Sequence, residues 1–439
     1  MKNKHLGTAA WIIGGQAATA IGTVVGIRLL TQILTPSAYG TLSLSIGIAG
    51  LALNVLCTPL TQATAHFYPG ISRNAPHLLS LALSRILRDN LRWFASIVIL
   101  GWCGYIYFAN GSPTIAALLT LVFICDCWRS YRLVIINAEQ DHRTYALWMS
   151  LDAWGRPILA CVLVHYLSDD VRIVLSAYVI VSIGLTFLFV STRRPDSAPD
   201  PGVITEQEVG IFSTRMRTYA LPLVPLGLIG WANGLGDRYV IGSLLTVADA
   251  GLYAAAYGLA SRPVLIANAT VEQALRPLYQ DAVTHGEHDR ARHIILLWFA
   301  TMLSISGCLV LLMTVFNAQI AALLLGPNFR GASRILPWVA CGYGLLTLSY
   351  VFERVCYAHG RTARVLAIQS CTALTALVTT AFGAWHWGLS GSAMAVPVYF
   401  TVQLVGAMIQ AARTTRREQV TPSKINAAET KSQHILERT

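Results

Sequence analysis

The chain has 439 residues, 54% of them hydrophobic and only 12% charged, with a formal net charge of +11. Soluble domains carry about 25% charged residues, so this composition excludes a soluble enzyme and indicates an integral membrane protein. The apolar runs are continuous rather than alternating, which excludes a transmembrane β-barrel. The positive excess lies in loops between the runs, where it reports membrane topology rather than nucleic-acid binding.

A bilayer-crossing helix needs about 20 mostly apolar residues. In chain order the expected spans are 8–34, 39–66, 93–110, 113–138, 144–166, 171–191, 216–237, 247–271, 293–316, 332–356, 362–385 and 389–412. Met1-Lys2-Asn3-Lys4 precedes the first run. That run is too long for a signal-peptide core, so a retained span is expected. Between His77 and Trp93, leucines interleave with Arg85, Arg88 and Arg92, the pattern of an amphipathic helix lying on the membrane surface. The polar stretch from Ser191 to Met216 falls midway and reads as a linker. The expected organisation is a first six-helix half at 1–191, a cytoplasmic linker at 192–215, a second half at 216–412 and a polar, disordered tail at 413–439.

Basic residues set the orientation. Alternate connections hold Arg73, Arg85, Arg88 and Arg92; then Arg143; then Arg193, Arg194, Arg215 and Arg217; then Arg276, Arg290 and Arg292; then Arg361 and Arg364; the tail adds Arg413, Arg416, Arg417, Lys424, Lys431 and Arg438. The opposite set holds only Arg172, Arg238, Arg330 and Arg334. Both termini are therefore expected in the cytoplasm. All nine cysteines lie in apolar segments and read as small buried hydrophobes, with no disulfide framework.

The second half repeats the start of the first. A shift of 211 residues lays Leu34-Thr35 on Leu245-Thr246, Gly40 on Gly251, Gly47 on Gly258, Ala49 on Ala260, Gln62-Ala63 on Gln273-Ala274 and Tyr68 on Tyr279. Six spans per half is an even number, so the halves share one orientation, related by an axis along the membrane normal. The expected fold is all-α: about 12 transmembrane helices in two six-helix pseudo-symmetric bundles around a central cavity, with rocking of the halves giving alternating access.

The run Arg28-Leu29-Leu30-Thr31-Gln32-Ile33-Leu34-Thr35-Pro36-Ser37-Ala38-Tyr39-Gly40-Thr41 resembles the first hairpin of bacterial polysaccharide flippases. Leu245-Thr246-Val247-Ala248-Asp249-Ala250-Gly251-Leu252-Tyr253 resembles the same turn opening the second half. The family is the O-antigen and exopolysaccharide (Wzx-type) exporters of the MATE/MOP superfamily. Span number and layout agree over almost the whole chain, but only the two turns are specific. The resemblance implies a bacterial inner-membrane protein that moves undecaprenyl-diphosphate-linked oligosaccharide from the cytoplasmic to the periplasmic leaflet. Lipid-linked oligosaccharide, membrane lipids and other polysaccharide-assembly proteins would be its partners. A lipid II flippase of the same superfamily would carry fourteen spans.

Ionisable groups at membrane depth usually face a bundle interior or water. Arginine binds phosphate oxygens bidentately, so Arg28, Arg156, Arg262 and Arg238 are the substrate-binding candidates. Asp126 and Asp152 are the candidates for coupling to H+ or Na+. Set against this, Asp126 with Arg129 and Asp152 with Arg156 are spaced to neutralise each other on one helix face, and Arg238 near an interface can snorkel. Glu353-Arg354 reads as an interfacial pair. The lysines lie only at the termini and no phosphate-binding Gly-rich loop is present, which excludes a P-loop ATPase. No cofactor, metal or nucleic acid is expected; His285, Glu287, His288 and Asp289 read as a loop rather than a metal site. Trp385-His386-Trp387 reads as an aromatic-belt anchor. Gly227, Gly230, Gly234 and Gly236 suit close helix packing.

Three rivals remain. A multidrug exporter of the same superfamily would favour acidic cavity residues. A membrane polysaccharide polymerase or ligase would need a large outward loop. A channel or structural protein would explain neither the duplication nor the membrane charges. No enzymatic activity is expected.

Overall fold

A computed structural model describes residues 2–71, 78–79, 81–89, 96, 98, 99, 101, 112–192 and 205–420. Among them there is no strand, and the chain is a multi-span helical membrane protein. Pro36–Tyr68, His142–Tyr166, Val171–Phe189, His288–Val315 and Thr362–Thr415 are long and apolar enough to cross a bilayer. Pro327–Arg334 with Leu336–Ala358, bent by 57°, makes a sixth. Every expected span falls on helix except the third, 93–110, which lies almost wholly outside the described residues. So do the start of the linker, 192–204 after its first residue, and the tail beyond 420.

The helices are α1 (Lys2–Ile33), α2 (Pro36–Ala52), α3 (Thr58–Ile71), α4 (81–89), α5 (Pro113–Ala138), α6 (His142–Tyr166) and α7 (Val171–Thr192). There follow α8 (Glu206–Ala220), α9 (Val224–Leu244), α10 (Val247–Thr284), α11 (His288–Val315), α12 (Asn317–Leu324), α13 (Leu336–Ala358) and α14 (Thr362–Val420). A π-helical turn, Leu53–Cys57, separates α2 from α3, and a 3-10 helix, Pro327–Arg334, leads into α13. Gly388 breaks α14 with φ 60° and ψ −143°, a conformation only glycine adopts without strain, so its arms 362–387 and 389–420 are separate spans. Trp385 and Trp387 stand exposed at that break, as aromatic-belt anchors would.

The chain packs as two compact units, residues 1–259 with 318–333, and residues 260–317 with 334–439. In the first, α1 runs along α6, where the Trp154 indole donates to the Ala18 carbonyl at 2.9 Å. The amphipathic α4 turns its apolar stripe to the protein: Ala82 and Ile86, with Leu79 ahead of the helix, pack with Ala63 of α3 and Phe212 and Met216 of α8. The linker is polar but not wholly irregular. Thr205 and Glu208 form a capping box, each side chain bonded to the other's backbone N–H, which nucleates α8 inside it.

The two family-like turns open α2 and α10 in the same way. The Thr35 hydroxyl accepts from the Ala38 N–H at 3.2 Å, and the Thr246 hydroxyl from the Asp249 N–H at 3.0 Å. The turns also meet. A Cβ on Gly40 would lie 1.9 Å from the Val247 carbonyl oxygen, and one on Gly251 would lie 2.0 Å from that of Pro36. Pro36 and Val247 are equivalent under the 211-residue shift, as are Gly40 and Gly251, so this contact is reciprocal.

In the second unit, α13 packs on both arms of α14 and on α11. Trp298 and Met302 of α11 bury Leu348 and Val351, and the Ser306 and Thr347 hydroxyls pair at 3.1 Å.

Candidate functional site

The expected charges sort into four environments. The first is a quartet formed by α5 and α6. Arg129 pairs with Asp126 one turn away at 3.1 Å and donates across to Asp152. Arg156 reaches Asp126 at 2.5 Å, and its Nε lies 2.9 Å from Asp152 Oδ1. Arg156 also donates to the Ser182 hydroxyl of α7 at 2.8 Å and stacks over the Tyr178 ring at 5.5 Å. Two arginines and two aspartates give a closed, neutral, mostly buried group. The intrahelical pairs expected from spacing are present, and crosswise pairs bind the two helices together.

Arg28 near the end of α1 donates to the carbonyls of Leu325 and, at 3.3 Å, Ala322. These are orphan acceptors at the C-terminal end of α12, where a cation also meets the negative end of the helix dipole. Beside it the Gly326 N–H donates to the Thr31 hydroxyl at 2.9 Å, and Tyr39 meets Phe329 edge to face at 5.5 Å. Arg28 and Thr31 thus fasten the segment 318–333 to α1, and Tyr39 fastens it to α2.

Arg238 of α9 donates to the Ser43 hydroxyl at 3.2 Å and lies over the Tyr257 ring at 4.9 Å. Its neighbour Asp237 is 2% exposed and takes a 2.6 Å hydrogen bond from the Tyr253 hydroxyl. Asp237 also accepts from the backbone N–H of Arg238 at 2.8 Å.

Arg262 of α10 differs from the other three. Its side chain is exposed, and among the described residues it makes no hydrogen bond or ion pair.

The second unit departs from the expected Glu353-Arg354 pair. Glu353 does not pair with Arg354. Consecutive residues on a helix point apart, and Arg354 turns to Glu272 of α10 at 2.7 Å. Glu353 turns inward and is 2% exposed. Its Oε1 accepts from the Gln403 amide at 2.8 Å and its Oε2 from the Gln369 amide at 3.2 Å. The available signal was the two glutamines, uncharged but polar, deep in the apolar spans 362–385 and 389–412.

No group of metal-ligating side chains occurs among the described residues. The His285–Asp289 stretch is a turn that runs into the first residues of α11: Glu287 takes a 2.8 Å hydrogen bond from Arg290, which holds the pKa of its carboxyl below the ordinary value. Of the span-7 glycines, Gly227 lets α9 touch the Asn54 carbonyl in the π-helical turn, whereas Gly230 and Gly234 face open space.

No family model and no curated protein matches the sequence. Solved structures do. A multidrug resistance MATE family transporter of the MOP superfamily, inward-facing, is similar at TM-score 0.67 and 14% identity, over 92% of this chain and 96% of that one. The lipid II flippase MurJ, in an inward closed conformation, is similar at TM-score 0.68 and 11% identity, over 93% of this chain and 87% of that one. A mutant of the Vibrio cholerae MATE transporter VcmN is similar at TM-score 0.57 and 14% identity, over 94% and 96%. At such identities the likeness speaks for architecture: the chain has the fold that MATE transporters and the lipid II flippase share.

Proposed function

We propose that this chain is a flippase of the bacterial cytoplasmic membrane, moving undecaprenyl-diphosphate-linked oligosaccharide to the periplasmic leaflet by alternating access. The observation that carries the reading is the contrast among membrane charges. The carboxylates on these helices are already held: Asp126 and Asp152 by arginines, Asp237 by Tyr253, Glu272 by Arg354 and Glu353 by two amides. Arg262 is left open. A site of that sign suits a diphosphate, whose oxygens a guanidinium grips bidentately, and not an amphiphilic cation.

Arg262 is the lead contact in this reading. Arg28 and Arg238 have their N–H groups engaged within the protein, and the charge of Arg156 is balanced by Asp126 and Asp152. Similarity to a lipid II flippase supports a lipid-linked substrate, and the two family-like turns support a polysaccharide precursor. An ion gradient, the substrate gradient or both would supply the drive.

The test is the sidedness of the lipid-linked oligosaccharide in cells lacking the protein. Cytoplasmic-leaflet accumulation should be relieved by the intact chain, poorly by Arg262→Ala and better by Arg262→Lys. No accumulation in a strain without a second flippase sinks the reading and favours the multidrug exporter.

A further inference from the structure

Glu353 is a buried carboxyl that nothing above puts to use. Around it α13 itself supplies Tyr350, Cys356, Tyr357 and Arg354, and the Arg354 guanidinium is committed to Glu272 at 2.7 Å. The two arms of α14 supply amides, Gln369 and Gln403, while Arg364 is engaged with the Thr414 hydroxyl at 3.0 Å. On α11 the facing residues are apolar: Ile294 packs near Val355, and Trp298 and Met302 near Val351. Among the described residues no cation lies within ion-pairing distance of Glu353.

A charged group this deep, with two neutral donors and no countercharge, is expensive to keep ionised and is relieved by taking up a proton. The geometry points to Glu353, Gln369 and Gln403 as a proton-binding site, through which a proton gradient acts on the second unit. The two carboxylate oxygens are not equivalent. Gln403 holds Oε1 at 2.8 Å, whereas Gln369 holds Oε2 more weakly at 3.2 Å, so Oε2 is the atom to protonate. Once protonated, Oε2 becomes a donor facing a donor. The Gln369 amide must then turn so that its own oxygen accepts the new O–H, and its NH2 must find other partners. No bond other than O–H forms, and the proton comes from water. Its consequence is local: α13 changes its grip on the first arm of α14 while Gln403 keeps the second arm attached. Glu353 lies five residues before Ala358, the end of α13, about 7–8 Å along the helix, which gives a short path to water. Sodium fits less well, because a hard cation wants several oxygens and the two side chains bonded to the carboxylate, Gln369 and Gln403, present N–H groups to it.

The site does not depend on which substrate crosses the membrane. The decisive experiment is pH-difference infrared spectroscopy on the full chain in lipid nanodiscs. The wild type should develop a protonated-carboxyl C=O band that is missing in Glu353→Gln. In Gln403→Leu, which removes the closer donor to the carboxylate, the band should titrate about one pH unit higher. A band unchanged in Glu353→Gln overturns the proposal. If that variant does not fold, an unshifted midpoint in Gln403→Leu does so instead. Replacing potassium by sodium at fixed pH should leave the band unaltered; loss of the band with sodium would show a sodium site and overturn the proton. In proteoliposomes, glycolipid movement by the wild type should respond to a proton gradient and movement by Glu353→Gln should not. Absence of movement by every form, wild type included, would count against the flippase reading and leave the infrared result to decide the site.

Discussion

Arg129 and Arg156 each face two carboxylates, so removing one aspartate leaves the quartet with an uncompensated positive charge. Breaking a mostly buried ion pair in this way costs about 3–5 kcal/mol, while removing both partners is often near neutral. Asp126→Asn should therefore lower the melting temperature in detergent markedly. The double variant Asp126→Leu with Arg129→Leu, which leaves Arg156 with Asp152, should recover most of the loss. A double variant no better than the single would show that Asp126 is needed for something other than neutrality. At this scale the sequence was half legible. Spacing of three and four residues announced the pairs within α5 and within α6. The crosswise pairs were hidden, because which face of α5 meets α6 depends on packing that one sequence does not display. The partners of Glu353 were hidden for a related reason: Arg354 stands beside it in sequence, while Gln369 and Gln403 are 16 and 50 residues away.

Helices carry the duplication more plainly than single residues do. Gly40 and Gly251, matched by a shift of 211 residues, turned out to touch each other's turn. Gly40→Ala would press a methyl group 1.9 Å from the Val247 carbonyl oxygen, and backbone there cannot swing aside as a side chain would. Overpacking of this kind costs about 1–3 kcal/mol. Gly251→Ala should cost a similar amount. The double variant should cost less than the sum, because one separation of α2 from α10 relieves both. Gly230→Ala is the control: nothing lies within 4 Å of its Cβ, and an alanine within a helix should be neutral or stabilising by up to about 1 kcal/mol. Equal losses at all three positions would refute the reciprocal contact. The capping box gives a second test. The Thr205 backbone and hydroxyl groups hydrogen-bond the Glu208 carboxylate and hold its pKa below 4.5. That contribution is complete above pH 4.5, its ordinary value, and is lost as pH falls through the lower folded value. Amide exchange in the first turn of α8 should quicken over that acid range in the wild type and not in Glu208→Gln. Thr205 and Glu208 stand at capping-box spacing, but inside a polar stretch whose composition alone suggests an irregular linker.

For the whole molecule, the all-helical, multi-span class followed from composition because lipid demands long apolar runs whatever their packing. The division into compact units was less visible. α10 continues to Thr284, past the expected end at 271, and passes from one unit into the other, since a helix emerging from lipid can continue on polar residues. Orientation is the remaining large-scale expectation and rests on the basic loops. It can be read with single cysteines in a background whose nine native cysteines are replaced by alanine; the eight described ones are all free. His288, at the α10–α11 turn beside Arg290 and Arg292, and Asn328, in the 3-10 helix before α13, are both exposed. In spheroplasts a membrane-impermeant maleimide should label Asn328→Cys at once and His288→Cys only after the membrane is opened. Reversed labelling would put Arg290, Arg292, Arg361 and Arg364 outside, against the bias that orients membrane helices. The proposed direction of lipid movement would then fail with the orientation it depends on, even though the fold, the quartet and the Glu353 site would stand unchanged.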